Sequence, residues 1–428
     1  MAGIRSRTGA VRTALAMALI GVAGACVGCR AGGPPSTVAS SSLMSGNSTQ
    51  RSVSAACVNG WHLAAFPAMP PGTRQVVLLD AAAASSTDVW AVGERWTLVP
   101  PSPEARPYPL VLHWDGRSWT VSPVANPGAR TGSLWSIATV SPNDAWAAGG
   151  FAAYGRTRDQ GLLEHWDGAR WSVAPLPPLG GEPHGSRSIV AVAADPARGL
   201  WALGQSSPAV DGESVVRNLL LRGGDAAWKP TAAPPNRAHG GWSALMDVDV
   251  AASGAWAVGG RASGFGEISG FDGPVVLRWK GRSWSAVRGP AGAFPLTRVA
   301  VGRDGVVWAI RRPFLAEDRF SQSVGGGPGR MDVVARSGRS WHTSLLVPRG
   351  TLNDIAAGVP GVWVGGSRHG DPLIERRAGG TWRVEGRPAP DAVSSVSALS
   401  IAPDGSVTAM GATGDTPRDR VALWTRCP

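Results

Sequence analysis

A short string recurs along this chain at a nearly constant interval, and that interval restricts the fold more than any other feature. It reads DVWAVG at 88–93, DAWAAGG at 144–150, GLWALG at 199–204, GAWAVGG at 254–260, VVWAI at 306–310 and GVWVGG at 361–366, with a worn copy, SVTAMG, at 406–411. The marker residues Trp90, Trp146, Trp201, Trp256, Trp308 and Trp363 stand 56, 55, 55, 52 and 55 residues apart, and Thr408 follows 45 later. Repeats of this kind are single supersecondary units that bury their apolar faces only against one another. A second marker trails each first one: VLHWDGRSW at 111–119, LEHWDGARW at 163–171, LLLRGGDAAW at 219–228, VLRWKGRSW at 276–284, VARSGRSW at 334–341 and IERRAGGTW at 374–382. Two apolar runs around a tight Asp/Gly turn make a β-hairpin. One more apolar run precedes each WAVG string, as in LWSIATV at 134–140, IVAVAAD at 189–195 and VSALSIAP at 396–403.

Each unit is therefore four strands, and seven units predict an all-β chain folded as one seven-bladed β-propeller over residues 57–428. Composition agrees: Gly 58 and Pro 35 in 428 residues, with 20 Trp against two Tyr, favour many short strands joined by turns over a helical bundle. The seventh unit lacks a fourth strand after VALWTRC at 421–427, and Cys57-Val-Asn-Gly-Trp61-His-Leu resembles the close of the other hairpins. An N-terminal strand is expected to complete the last blade. Cys57 and Cys427, one at each end of the folded region of an exported chain, are expected to pair. A bridge closing so long a loop would stabilise by at most about 6 kcal/mol on chain entropy.

The units resemble kelch and galactose-oxidase-like blades, in which an apolar strand ends in Gly-Gly and is followed by an aromatic on the third strand and a Trp on the fourth. Gly-Gly stands here at 149–150, 259–260 and 365–366, and the third-strand aromatics are read as Trp114, Trp166, Trp279 and Trp424. The DGRSW turns look like a shortened Asp-box of sialidase-like propellers, without its leading Ser. The resemblance implies a fold and leaves function to the site. Seventeen of the tryptophans are assigned to packing between blades; Trp96, Trp135 and Trp242 are the exceptions, with Trp96 in a loop. Asp115 and Asp167 read as turn formers, and His113 and His165, beside Trp114 and Trp166, as structural.

Arg5, Arg7 and Arg12 precede an uncharged apolar stretch from Thr13 to Cys29, the pattern of a secretory signal over residues 1–25. The stretch ends in Ala-Gly-Ala-Cys at 23–26, which resembles a bacterial lipobox and implies a lipid on Cys26, with Cys29 as the alternative. Free secretion after ordinary cleavage is the other reading. Residues 26–56 are rich in Ser, Gly and Pro and read as a flexible tether. The expected location is the outer face of the cell membrane, on a lipid anchor.

The net charge of +11 invites a nucleic-acid reading, but the 41 basic residues are 39 Arg and two Lys spread without a run. No nucleic-acid partner, metal or cofactor is expected, and the chain is read as a monomer. Function is sought where the repeat breaks down, in the segments at 94–109, 151–160, 261–273 and 311–330. In a propeller these leave one face, which would present Arg95, Trp96, Tyr154, Arg156, His184, Arg187, Trp242, Arg311, Arg312 and Arg368. Arg with aromatics suits a protein partner or an envelope glycan. The expectation is a non-enzymatic recognition or scaffold propeller. A sialidase-like glycoside hydrolase is the alternative, for which only Tyr108 and Tyr154 could act as nucleophile.

Overall fold

The computed structural model describes residues 60–98, 105–125, 129–153, 159–177, 186–207, 209–210, 213–214, 217–223, 227–234, 242–262, 271, 273–312, 331–359, 361–386, 393–412 and 421–426. Cys26, Cys29, Cys57, Cys427, the signal segment and the tether lie outside them.

Seven four-stranded antiparallel sheets form the fold, each running inner, second, third, outer strand. Blade 1 is Thr73–Ser85, Asp88–Leu98, Ala105–Trp114 and Trp119–Ser122, and blade 2 is Ala129–Ser141, Asp144–Ala153, Asp159–Trp166 and Trp171–Val173. The inner strands of blades 3 to 6 are Ser186–Asp195, Trp242–Ala251, Leu296–Val301 and Gly350–Gly358. Blade 7 joins Ser395–Ile401, Val407–Ala412 and Val421–Arg426 to an outer strand from the other end of the chain, Trp61–Ala64. Trp61 pairs with Arg426 and Ala64 with Leu423. Consecutive inner strands touch all the way round, blade 7 against blade 1 included. The chain is a seven-bladed β-propeller closed by its N-terminal strand.

The tryptophans hold the blades together. In five of the blades the outer-strand Trp reaches the marker Trp of the blade before it: Trp171 meets Trp90, Trp228 meets Trp146 and Trp284 meets Trp201, all at 5.2 Å between ring centroids and near-perpendicular. Trp382 meets Trp308, and Trp61 meets Trp363, in the same edge-on way. Edge-to-face pairs add to the large area these rings bury. In several blades the residue directly across from the marker on the third strand covers its face: His113 stacks on Trp90 at 4.0 Å, His165 on Trp146 at 4.2 Å, and the guanidinium of Arg278 lies over Trp256 at 5.2 Å. Part of the arginine excess is thereby packing. His113 and His165 also pair with Asp88 and Asp144, so their role is structural, as read. Asp115 and Asp167 each accept two backbone N–H bonds within their turns, and those bonds hold both carboxyls below their ordinary values.

Two expectations need correction. Trp424 is not the counterpart of Trp114: Thr408 pairs with Thr425 as Trp90 pairs with His113, so Arg426 holds that place and Trp424 the place of Leu112. Its ring packs over Gly411 within blade 7, the blade whose marker has shrunk to Thr408. Trp96 is not in a loop. The second and third strands of blade 1 continue past the repeat, pairing Arg95 with Tyr108 and Trp96 with Pro107.

Every inner strand carries one bulge at the same place: between Leu78 and Asp80, Leu134 and Ser136, Ile189 and Ala191, Leu245 and Asp247, Leu296 and Arg298, Leu352 and Asp354, and Val396 and Ala398. The bulge explains the glycine that ends the WAVG string. A Cβ on Gly93, Gly149, Gly259 or Gly366 would sit 1.9–2.0 Å from a carbonyl oxygen of the inner strand opposite. In these four blades only glycine leaves room for the kinked backbone, whereas blade 5 holds Arg311 at the same place.

Candidate functional site

The seven inner strands surround a central channel of about 310 Å³. The residue just after each bulge occupies one equivalent position per blade, giving the series Asp80, Ser136, Ala191, Asp247, Arg298, Asp354 and Ala398. Charge at such a place in an otherwise apolar strand calls for partners.

The partners are the next amides along. Asp80 accepts from Ala81 N in its own blade at 2.8 Å and from Ile137 N in blade 2 at 2.9 Å. Asp247 accepts from Val248 N at 2.9 Å and from Val299 N in blade 5 at 2.8 Å. Asp354 accepts from Ile355 N at 2.9 Å and from Leu399 N in blade 7 at 2.7 Å. Ser136 Oγ accepts from Val192 N in blade 3 at 3.1 Å. Three carboxylates taking two amides each and one hydroxyl taking one therefore serve one amide in every blade. This explains why Ala191, Arg298 and Ala398 need no acceptor. One pair lower, Asp249 ties Val250 N to Val301 N at 2.8 and 2.7 Å.

Burial dominates the electrostatics of this ring. It raises Asp80, and it raises Asp247 and Asp354 to about 7 and Asp249 to about 6; Arg298 and the accepted N–H bonds work against it. Burial pulls Arg298 down, yet Asp247, Asp354 and Asp80 together hold it above its ordinary value. Its nearest carboxylate contact is long, Nε to Asp354 Oδ1 at 3.8 Å, and the side chain keeps 29% of its surface exposed. A second buried acid, Glu164 in blade 2, is raised to about 7 by burial, with Ala125 N donating to one oxygen at 3.2 Å.

The residues expected on the long-loop face divide into three groups. Tyr154, Arg156 and His184 lie outside the described residues. Arg187 and Trp242 stand at the start of inner strands, and Arg95, Trp96, Arg311, Arg312 and Arg368 at or just past the ends of second strands. In an up-and-down blade those positions share one end of the ring, opposite the Asp115 and Asp167 turns. Several are already engaged. Arg311 grips the buried Asp332 with two N–H groups and Ala291 O with a third, and Arg368 donates to the buried Glu375 at 2.8 Å. Arg95 donates to Thr97 Oγ1 and lies over the Tyr108 ring at 5.4 Å. Trp96 Nε1 donates to Glu94, whose other oxygen accepts from Ser133 of blade 2. The backbone N of Arg312 donates to Pro295 O.

The charged central ring was missed by sequence reading; its signal was a polar residue nine or ten positions before the marker in five of the seven blades, Asp80, Ser136, Asp247, Arg298 and Asp354. Among the described residues no group of three or more His, Cys, Asp or Glu could hold a metal ion. Asp80, Asp247 and Asp354 are instead spaced round the channel.

No protein-family model and no curated protein matches the chain. Solved structures do. The chain is similar to a protein of unknown function from Dyadobacter fermentans at 11% identity and TM-score 0.49, covering 87% of this chain and 100% of that one. It is similar to polysaccharide lyase Uly1 at 9% identity and TM-score 0.49, covering 84% and 91%. A virginiamycin B lyase from Staphylococcus aureus matches at 11% identity and TM-score 0.46, covering 81% and 94%.

Proposed function

We propose that this propeller is a non-enzymatic recognition module, held outside the cytoplasmic membrane by a lipid on Cys26 or Cys29, that binds a protein or cell-envelope glycan on its long-loop face. The observation that carries the reading is the inequality of the two ends. One end is made of short, uniform turns stiffened by Asp115, Asp167, Asp304 and Asp404. The other carries the extended hairpin with Arg95, Trp96 and Tyr108. Variable segments on a rigid scaffold are where recognition surfaces are built. The course of the chain supports the same orientation. Trp61 stands beside Arg426 as Trp119 stands beside Trp114, so the closing strand begins at the turn end. A tether attached there leaves the long-loop end facing away from its anchor.

The test is capture from crosslinked native envelope, with bound protein and polysaccharide both identified. Arg311 and Arg368 are poor choices for variants, because their loss strands buried carboxylates. The informative set is Arg95→Ala, Trp96→Ala and Arg187→Ala together, against Arg117→Ala with Arg170→Ala at the turn end. Loss of the captured species in the first set only is the expected result. Equal capture by both sets would sink the proposed face.

A further inference from the structure

The central channel has the makings of a second site. Its three ring carboxylates each have two of their lone-pair positions taken by backbone amides. A carboxylate offers about four, so each retains capacity to accept from a further donor. Arg298 differs. Its guanidinium makes no hydrogen bond among the described residues, its shortest approach to a carboxylate is 3.8 Å, and part of it is open to the channel. Five N–H donors in a fixed fork are there for an acceptor of the right shape. Trp135, the bulged residue of blade 2, also lines the channel, with its ring held against Gly150.

The mixture of signs narrows the ligand. Three carboxylates disfavour an anion at Arg298, and Arg298 in their midst disfavours a bare cation. A neutral molecule rich in hydroxyls meets both demands: its O–H groups donate to carboxylate oxygens while its oxygens accept from the guanidinium. The channel, about 310 Å³, is at the small end of the roughly 300–1,000 Å³ seen for small-molecule pockets.

We infer that the channel binds a neutral saccharide unit, with Arg298 donating to it, Asp80, Asp247 and Asp354 accepting from its hydroxyls, and Trp135 flanking it. This goes beyond the long-loop reading and does not depend on it. Saturation-transfer NMR and calorimetry on the full chain test it with glucose, galactose, mannose and N-acetylglucosamine as neutral probes, and glucuronate and glucosamine as charged ones. At least one neutral sugar is expected to bind, and the charged ones more weakly. Arg298→Met should weaken binding roughly tenfold or more, as loss of a charge-assisted hydrogen bond does. Arg95→Ala with Trp96→Ala should leave it unchanged, which separates this site from the long-loop face. Where Arg298→Met fails to fold, Arg298→Lys, which keeps the positive charge among the carboxylates but loses the planar fork, decides in its place. No binding of any neutral sugar, or affinity unchanged in the folded variant, would overturn the inference.

Discussion

Gly149 and Gly204 occupy the same place in neighbouring blades, across from the inner-strand bulge, but their surroundings differ. A Cβ on Gly149 would lie 2.0 Å from Ser133 O, whereas on Gly204 the nearest atoms are Ile189 Cδ1 at 3.1 Å and a carbonyl at 3.3 Å. Gly149→Ala is expected to destabilise by roughly 1–3 kcal/mol, as overpacking does, and Gly204→Ala by less. Thermal unfolding of the two variants orders them; equal melting points would contradict the bulge explanation. At the central ring, Asp354→Ala leaves Ile355 N and Leu399 N without their acceptor, at roughly 1–3 kcal/mol for each amide. The repeat glycines and tryptophans were legible because they recur at fixed offsets. The ring of Asp80, Asp247, Arg298 and Asp354 was not, because extra residues at the inner turns shift it between nine and ten positions before the marker.

Strands and hairpins were read correctly wherever the pattern alternates, and the misreading at 94–109 has a physical cause. Pro107 and Pro109 make that stretch look like a loop, yet both stand on a third strand whose outer neighbour, Trp119–Ser122, reaches only Val111–Trp114. Beyond that point the strand is an edge, where a missing N–H takes no bond from the sheet. The same reasoning applies to the outer strands. Most are short, and in five blades the outer-strand Trp meets the marker Trp of the preceding blade. Trp228→Ala, which removes the contact with Trp146, is expected to destabilise by about 3–5 kcal/mol, measured by denaturant unfolding. A loss below about 1 kcal/mol would mean that the inter-blade rings contribute little, well under the usual range for a buried Trp.

The whole molecule should respond to pH in an unusual direction. Asp247, Asp354 and Glu164 are held near 7 and Asp249 near 6, all above their unfolded values, so the folded chain binds more protons between about pH 4 and 7. Stability is then greatest at the acidic end of that window and falls as pH rises through 6–7, by about 1.4 kcal/mol per pH unit for each group fully in its range. The lowered turn acids Asp115, Asp167 and Asp404 act in the opposite sense, but only below about pH 4. Denaturant unfolding at pH 5.5 should give a higher stability than at pH 8; a higher value at pH 8 would contradict the buried-acid picture. Seven blades and their closure by Trp61–Ala64 were legible from one period and one orphan strand. The proposed binding partner was not, because the segments that escape the repeat carry no periodic signal.

The claim that binding belongs to the long-loop end is tested most directly by hydrogen exchange of the full chain, with and without the envelope fraction it captures. Protection is predicted on the hairpin at 94–109, at 186–188 and at 366–371, with the turns at 115–118 and 167–170 unchanged. Protection confined to those turns would place the binding face at the wrong end of the ring.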